Sequence, residues 1–188
     1  MTTASKITIL RICLIPIFMV FALMDAAVFA HAHMAALAVF VLASLTDALD
    51  GFVARNRNQI TNFGKFMDPL ADKLLVTSAL LIFVQWGRLP AWVLMVILAR
   101  EFAVTALRMM AATRGSVIAA DLAGKLKTAV TIFAITIMLT TFHEIVLLRG
   151  VLGQDWTIDH LCIAAILGFT VYSGISYFVR NYKVLKEN

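Results

Sequence analysis

Asp47-Ala48-Leu49-Asp50-Gly51-Phe52-Val53-Ala54-Arg55, then eight residues, then Gly64-Lys65-Phe66-Met67-Asp68-Pro69-Leu70-Ala71-Asp72: four carboxylates and two glycines at fixed spacing, where two very apolar segments meet. Four negative charges clustered at a bilayer edge repel one another and are expensive to desolvate. A chain that keeps them close has cations to hold, so the stretch reads as a functional site joining two membrane helices.

The rest of the sequence supports that setting. Of its 188 residues 62% are hydrophobic and 14% charged, with a mean hydropathy of +0.92, whereas a soluble domain carries roughly a quarter of its residues as charges. Six apolar segments, near 7–29, 34–54, 68–86, 91–112, 125–148 and 160–180, each approach the ~20 residues that cross hydrocarbon as a helix. Spans in lipid must be helical to satisfy their backbone. The expected fold is therefore an all-α integral membrane protein of six transmembrane helices. It forms a single domain over residues 1–188, since no linker, low-complexity tract or repeat divides it. The first apolar run reads as a retained span rather than a signal peptide. Cys13 and Cys162 both lie in apolar runs and read as buried thiols.

Charge orients the bundle. With the N-terminus in the cytoplasm, Lys6, Arg11, Arg55, Arg57, Lys65, Lys73, Arg108, Arg114, Lys125, Lys127, Arg180, Lys183 and Lys186 fall on that side. Arg88, Arg149, Asp25, Glu144, Asp155 and Asp159 fall opposite. This positive-inside bias places both termini and the acidic motif in the cytoplasm. Membrane lipids, not nucleic acid, are the expected anionic surface, and for Lys183 and Lys186 contact with headgroups is the preferred role.

Asp47, Gly51 and Ala54 are related by i, i+4 and i+7, one helical stripe, with Asp50 beside it. One acid and two tiny side chains leave a groove. Close helix–helix contact would explain Gly51 and Ala54 but not the acids. Asp68 and Asp72 are i, i+4 on the next helix. Asp68-Pro69 also reads as an N-cap followed by proline at the first helical position, and Lys73 or Lys65 could pair with Asp72. Singly each acid has a structural explanation; four on consecutive helices joined by a short polar loop are harder to explain so. Oxygen ligands without His or Cys favour Mg²⁺ or Mn²⁺, and two ions bridged by shared carboxylates usually serve phosphoryl chemistry. His31, His33, His143 and His160 sit in or near opposite-side loops and are not expected to bind metal.

The whole pattern, Asp47-x-x-Asp50-Gly51-x-x-Ala54-Arg55 and Gly64-x-x-x-Asp68-x-x-x-Asp72, resembles the signature of the CDP-alcohol phosphatidyltransferases, with every defining position present. The resemblance implies an integral enzyme that displaces CMP from a CDP-linked lipid with an alcohol hydroxyl. It also implies a homodimer, in the plasma or inner membrane of a bacterium. Asp47, Asp50, Asp68 and Asp72 would be metal ligands, with Asp72 also the general base that takes the proton of the attacking hydroxyl. Gly51, Ala54 and Gly64 would make room for the nucleotide, which Asp50 and Arg55 would also contact; Arg55 could equally be a topology charge.

A second polar cluster bears on the acceptor. Arg100-Glu101 and Arg108 lie in or beside the fourth span, and Gly124-Lys125-Leu126-Lys127-Thr128 opens the fifth. Arg100 and Glu101 could form a local structural pair, although neighbours in sequence diverge around a helix. Arg108, Lys125 and Lys127 suit a phosphate, the lysines also through their place near a helix start. Ala99-Arg100-Glu101-Phe102, Leu107-Arg108 and the lysine segment, with Thr8-x-x-Arg11 and Pro16, are similar to the phosphatidylglycerophosphate synthase branch. That implies CDP-diacylglycerol and glycerol 3-phosphate as substrates, with Thr8, Arg11, Arg100, Arg108, Lys125 and Lys127 about the acceptor's phosphate. Inositol phosphate is the alternative acceptor. An ion-coupled transporter is a remoter reading, since it predicts acids at mid-membrane on broken helices and an inverted repeat.

Overall fold

The computed structural model describes residues 3–25, 27–57, 62–113, 122–140, 146–151 and 154–182, with side chains undescribed at 3–8, 47–57, 62–69, 146–151 and 154–156. Six helices follow one another: α1 (Thr3–Leu23), α2 (Ala32–Arg57), α3 (Asn62–Gln85), α4 (Ala91–Thr113), α5 (Leu122–Met138) and α6 (Ile158–Arg180). A short hairpin, β1 (Val146–Val151) and β2 (Gln154–Thr157), precedes α6. The chain forms two compact units, Met1–Trp86 with Ile135–His143, and Gly87–Ala134 with Glu144–Asn188.

Three boundaries depart from the apolar pattern. α1 stops at Leu23 rather than running to 29, because Asp25 captures the chain: its Oδ1 accepts the Ala27 N–H at 3.0 Å, and its carbonyl accepts the N–H groups of Val28 and Phe29. Such a side-chain turn competes directly with helix continuation. α5 ends at Met138, and the last three residues of the expected span, 146–148, lie in β1, paired antiparallel with β2 in the register Val146↔Thr157, Leu148↔Trp156, Val151↔Gln154. The six expected helices are present, and one short hairpin is added to them, where β-branched Val146 and Val151 and the helix-weakening Gly150 favour extended backbone. α3 begins at Asn62, six residues before Asp68. Asp68 is therefore within the helix and not its N-cap, and Pro69 denies the carbonyl of residue 65 its helical partner.

In the first unit α1 packs against α2 and α3. Its buried stripe is Arg11, Ile15, Phe18 and Ala22, facing the alanine-rich stripe Ala32, Ala36, Phe40 and Ala43 of α2. The small side chains admit close approach, and Phe18 and Phe40 fill the seam with ring centroids 5.7 Å apart. The outer stripe of α1 is apolar: Leu10, Cys13, Ile17 and Val20 are exposed while Arg11 is 1% exposed. Cys13 therefore corrects the expectation of two buried thiols; Cys162 is buried, and both are free.

The second unit repeats this inversion. α6 buries Thr170, Ser173, Gly174 and Tyr177 and exposes Val171, Tyr172, Ile175 and Val179. A charge or hydroxyl inside with aliphatic groups outside is the reverse of a soluble protein's surface. Among the described residues α6 is the helix that by length and apolarity alone could cross a bilayer; α1 and α2 carry shorter apolar runs, Ile9–Leu23 and Ala32–Thr46. Gly87, at φ +72°, supplies the left-handed residue after α3. The next residue, Arg88, makes two bonds to Asp159 in the first turn of α6, Nε to Oδ2 at 2.7 Å and Nη2 to Oδ1 at 2.8 Å. The carboxylate there also meets the positive end of the helix.

Candidate active site

The acidic motif divides between two helices of the first unit. Asp47 and Asp50 lie on α2, and Asp68 and Asp72 on α3. Four residues join the two helices, so each acid has a level measured from that connection. Asp50 lies seven residues before Arg57 and Asp68 six after Asn62; Asp47 lies ten before and Asp72 ten after. At 1.5 Å per residue the acids form two matched levels, roughly 10 and 15 Å along the helices. Arg55, Arg57 and Lys65 lie nearer the connection. Along each helix the bases thus lie nearer the connection and the acids farther from it. These four carboxylates are the residues whose oxygen chemistry could hold hard divalent cations.

The side chains of Asp47, Asp50, Gly51, Ala54, Arg55, Gly64 and Asp68 lie outside the described residues, and so does that of Thr8. Asp72 is half-buried and already engaged by a neighbour. Arg11, from the same unit, is buried on α1.

The second unit holds the basic cluster. Buried residues of α4 recur at Val93, Ile97, Val104, Leu107 and Ala111, and the same stripe passes through Arg100. Apolar pattern left Arg100 unplaced; the structure sets it inward against α6. There Gly174 makes room, since a Cβ at that position would lie 3.1 Å from Arg100 Cγ. Arg100 Nη1 donates to Glu101 Oε1 at 3.0 Å, and Lys127 Nζ donates to the same oxygen at 2.7 Å. The objection that neighbours diverge around a helix is overturned, because the long arginine stem reaches round to its neighbour's carboxylate. Arg108 Nε donates to Tyr177 Oη at 3.0 Å, with its guanidinium carbon 5.4 Å from the ring centre. Lys125 is exposed on the first turns of α5, while Lys127 is buried.

Glu101, Gly174 and Tyr177 carry this cluster and were not singled out as site residues from sequence. For Gly174 and Tyr177 the signal was available: Thr170, Ser173 and Tyr177 repeat at helical spacing with Gly174 beside them, a polar stripe on an otherwise apolar helix. Of the histidines described, His33 packs edge-on against Trp86 at 5.2 Å, and His160 Nδ1 accepts the Thr157 N–H at 3.2 Å ahead of α6.

The chain is similar to known proteins over most of its length. Residues 1–172 match the CDP-alcohol phosphatidyltransferase family. The chain is 43% identical to the CDP-diacylglycerol–glycerol-3-phosphate 3-phosphatidyltransferase of Bacillus subtilis, covering 98% of this chain and 97% of that one. It is 37% identical to a probable phosphatidylglycerophosphate synthase of Mycobacterium tuberculosis, over 94% of this chain and 80% of the relative. It is also 37% identical to the Rickettsia bellii enzyme of the same name as the Bacillus protein, over 93% and 92%. A match of this extent sets the transporter reading aside: with its complete carboxylate signature on paired helices, the chain belongs to the CDP-alcohol phosphatidyltransferase family.

Proposed function

We propose that this enzyme transfers the phosphatidyl group of CDP-diacylglycerol to glycerol 3-phosphate, giving phosphatidylglycerophosphate and CMP. The observation that carries the reading is near end-to-end identity of 43% with a relative named for that reaction. The buried basic pair of Arg100 and Lys127 adds to it, since an anionic acceptor needs cations and serine or choline does not.

Asp47, Asp50, Asp68 and Asp72 would hold two ions of Mg²⁺ or Mn²⁺. Bound there, the ions would neutralise the diphosphate and stabilise charge on the departing CMP. Asp72 would accept the proton of the acceptor hydroxyl as its oxygen bonds to the lipid-side phosphorus and the bond from that phosphorus to CMP breaks. Gly51, Ala54 and Gly64 leave space for the nucleotide, and Asp50 and Arg55 contact it. Thr8, Arg11, Arg100, Arg108, Lys125 and Lys127 serve the acceptor's phosphate. The whole chain acts as one catalytic domain.

The protein sits in a bacterial cell membrane as a six-span homodimer, with both termini and the active site toward the cytoplasm. What supports insertion is the apolar exterior of α1 and α6 around buried Arg11, Thr170 and Ser173; what supports the orientation is the positive-inside bias. The direct test is CMP release from CDP-diacylglycerol with glycerol 3-phosphate, inositol phosphate and serine side by side. Release with glycerol 3-phosphate well above the others is expected; preference for inositol phosphate would reassign the acceptor.

A further inference from the structure

Glu101 is an acid set between two cations. Its Oε1 accepts both Arg100 Nη1 and Lys127 Nζ, at 3.0 and 2.7 Å, and so ties α4 to α5. The three side chains are poorly hydrated, at 12% exposed for Arg100, 6% for Lys127 and 21% for Glu101. An ammonium buried as deeply as that of Lys127 is tolerated only with a counter-charge. Two cations on one carboxylate nevertheless leave a net positive charge. Arg100 Nε is also buried and makes no hydrogen bond, so the guanidinium has a committed edge and an uncommitted one. Its stem is confined by Gly174, 3.1 Å from where a Cβ there would stand, which limits the positions the head can adopt.

We propose that Glu101 is the positioning residue of the acceptor's phosphate site: it holds the Lys127 ammonium and the Arg100 guanidinium at one oxygen, so that an incoming phosphomonoester meets two cations already in place. The inference rests on the reading of this cluster as the acceptor site. A carboxylate near a phosphate would ordinarily repel it. Here the bridging oxygen is spent on two donors, and the surplus positive charge remains for the ligand. Preset cations spare the phosphate the cost of ordering two long side chains as it binds. The ligand class is a phosphomonoester, whether on the soluble acceptor or as free phosphate, and the same cations could instead serve an anionic lipid headgroup.

The test uses the full-length enzyme in mixed micelles, with Glu101→Gln, Glu101→Asp and Lys127→Ala. Glu101→Gln is expected to raise both the KM for glycerol 3-phosphate and the inhibition constant of inorganic phosphate by roughly tenfold, the cost of ordering one long side chain anew. The KM for CDP-diacylglycerol should stay within about twofold, and Glu101→Asp should recover a substantial part of the loss. Equal movement of both KM values with the melting temperature would make Glu101 a structural strut and overturn the proposal. So would unchanged KM values, or an effect confined to stimulation by phosphatidylglycerol in the micelle, which would assign the cluster to a headgroup. Should Glu101→Gln not fold, Glu101→Asp decides: a raised acceptor KM in a folded protein supports the role and an unchanged one overturns it. Lys127→Ala separates the two levels of inference. If it leaves acceptor KM and phosphate inhibition unchanged, the acceptor site itself is misplaced; if it raises them and Glu101→Gln does not, only the role of Glu101 falls.

Discussion

Helices α2 and α3 and the α4–α5–α6 cluster handle charge in opposite ways. The two helices carry four acids at similar distances from their connection, with Arg55, Arg57 and Lys65 closer to it. The cluster instead mixes its signs, with one carboxylate between Arg100 and Lys127. Like charges gathered on two helices call for cations from outside the chain, whereas opposite charges bonded together are set before any ligand arrives. On the proposed reading, the first site depends on what is added to the solution and the second on which side chains are present.

Chelation breaks that contrast most severely. EDTA should abolish CMP release, and Mg²⁺ or Mn²⁺ should restore it; turnover that ignores chelators would remove the metal role from Asp47, Asp50 and Asp68. Asp72→Asn comes next. Loss of a general base costs about 10²–10⁴-fold in kcat, with CDP-lipid binding partly kept, as equilibrium titration of the lipid would read. Full activity in that variant would assign the proton to another group.

A third charged pair sharpens the comparison because it belongs to neither site. Arg88 and Asp159 are side-on partners, 17% and 10% exposed. Asp159→Asn removes the carboxylate charge facing a poorly hydrated guanidinium and should cost about 3 kcal/mol of stability, seen as a lowered melting temperature in detergent with both KM values unmoved. A changed acceptor KM would show that the anchor of α6 controls the basic cluster.

Much of this was legible in sequence because membrane helices announce themselves by length and the motif by spacing. The eight residues between Arg55 and Gly64 hold the end of one helix, a four-residue connection and the start of the next, so the acids fall on two consecutive helices as their spacing implied. What was not legible depended on local competition or on long side chains. Apolarity alone could not see that Asp25 would end α1, or that residues 146–148 would lie in a strand. Nor could it start α3 at Asn62, since Asp68-Pro69 satisfies the rules for a helix start as well as any true one. In the basic cluster, residue spacing describes where stems leave a helix and not where heads meet. The Arg100–Glu101–Lys127 junction lay beyond it for that reason.

Smaller substitutions probe how rigidly the second site is set. Lys125 is exposed on α5, where its charge adds to the field near the helix start without a buried partner to replace. Lys125→Ala should therefore raise the KM for glycerol 3-phosphate by roughly three- to tenfold and that for CDP-diacylglycerol by less, as expected for one charged contact to a phosphate. Equal effects on both would make Lys125 a topology charge.

Gly174→Ala should have the smallest effect and ask the finest question. The new methyl would stand 3.1 Å from Arg100 Cγ, closer than a comfortable carbon–carbon contact of about 3.5–4.0 Å. A free side chain would yield by a few tenths of an ångström at almost no cost. Arg100 is not free, because Nη1 is bonded to Glu101 and its stem is buried against α6. Displacing the stem must lengthen that bond or strain a rotamer, a penalty of about 1 kcal/mol. If preset cations are what the acceptor needs, that penalty appears as up to roughly fivefold in its KM, with the melting temperature nearly unchanged. If Arg100 can adjust without loss, the KM will not move, and the cluster is softer than its short bonds imply.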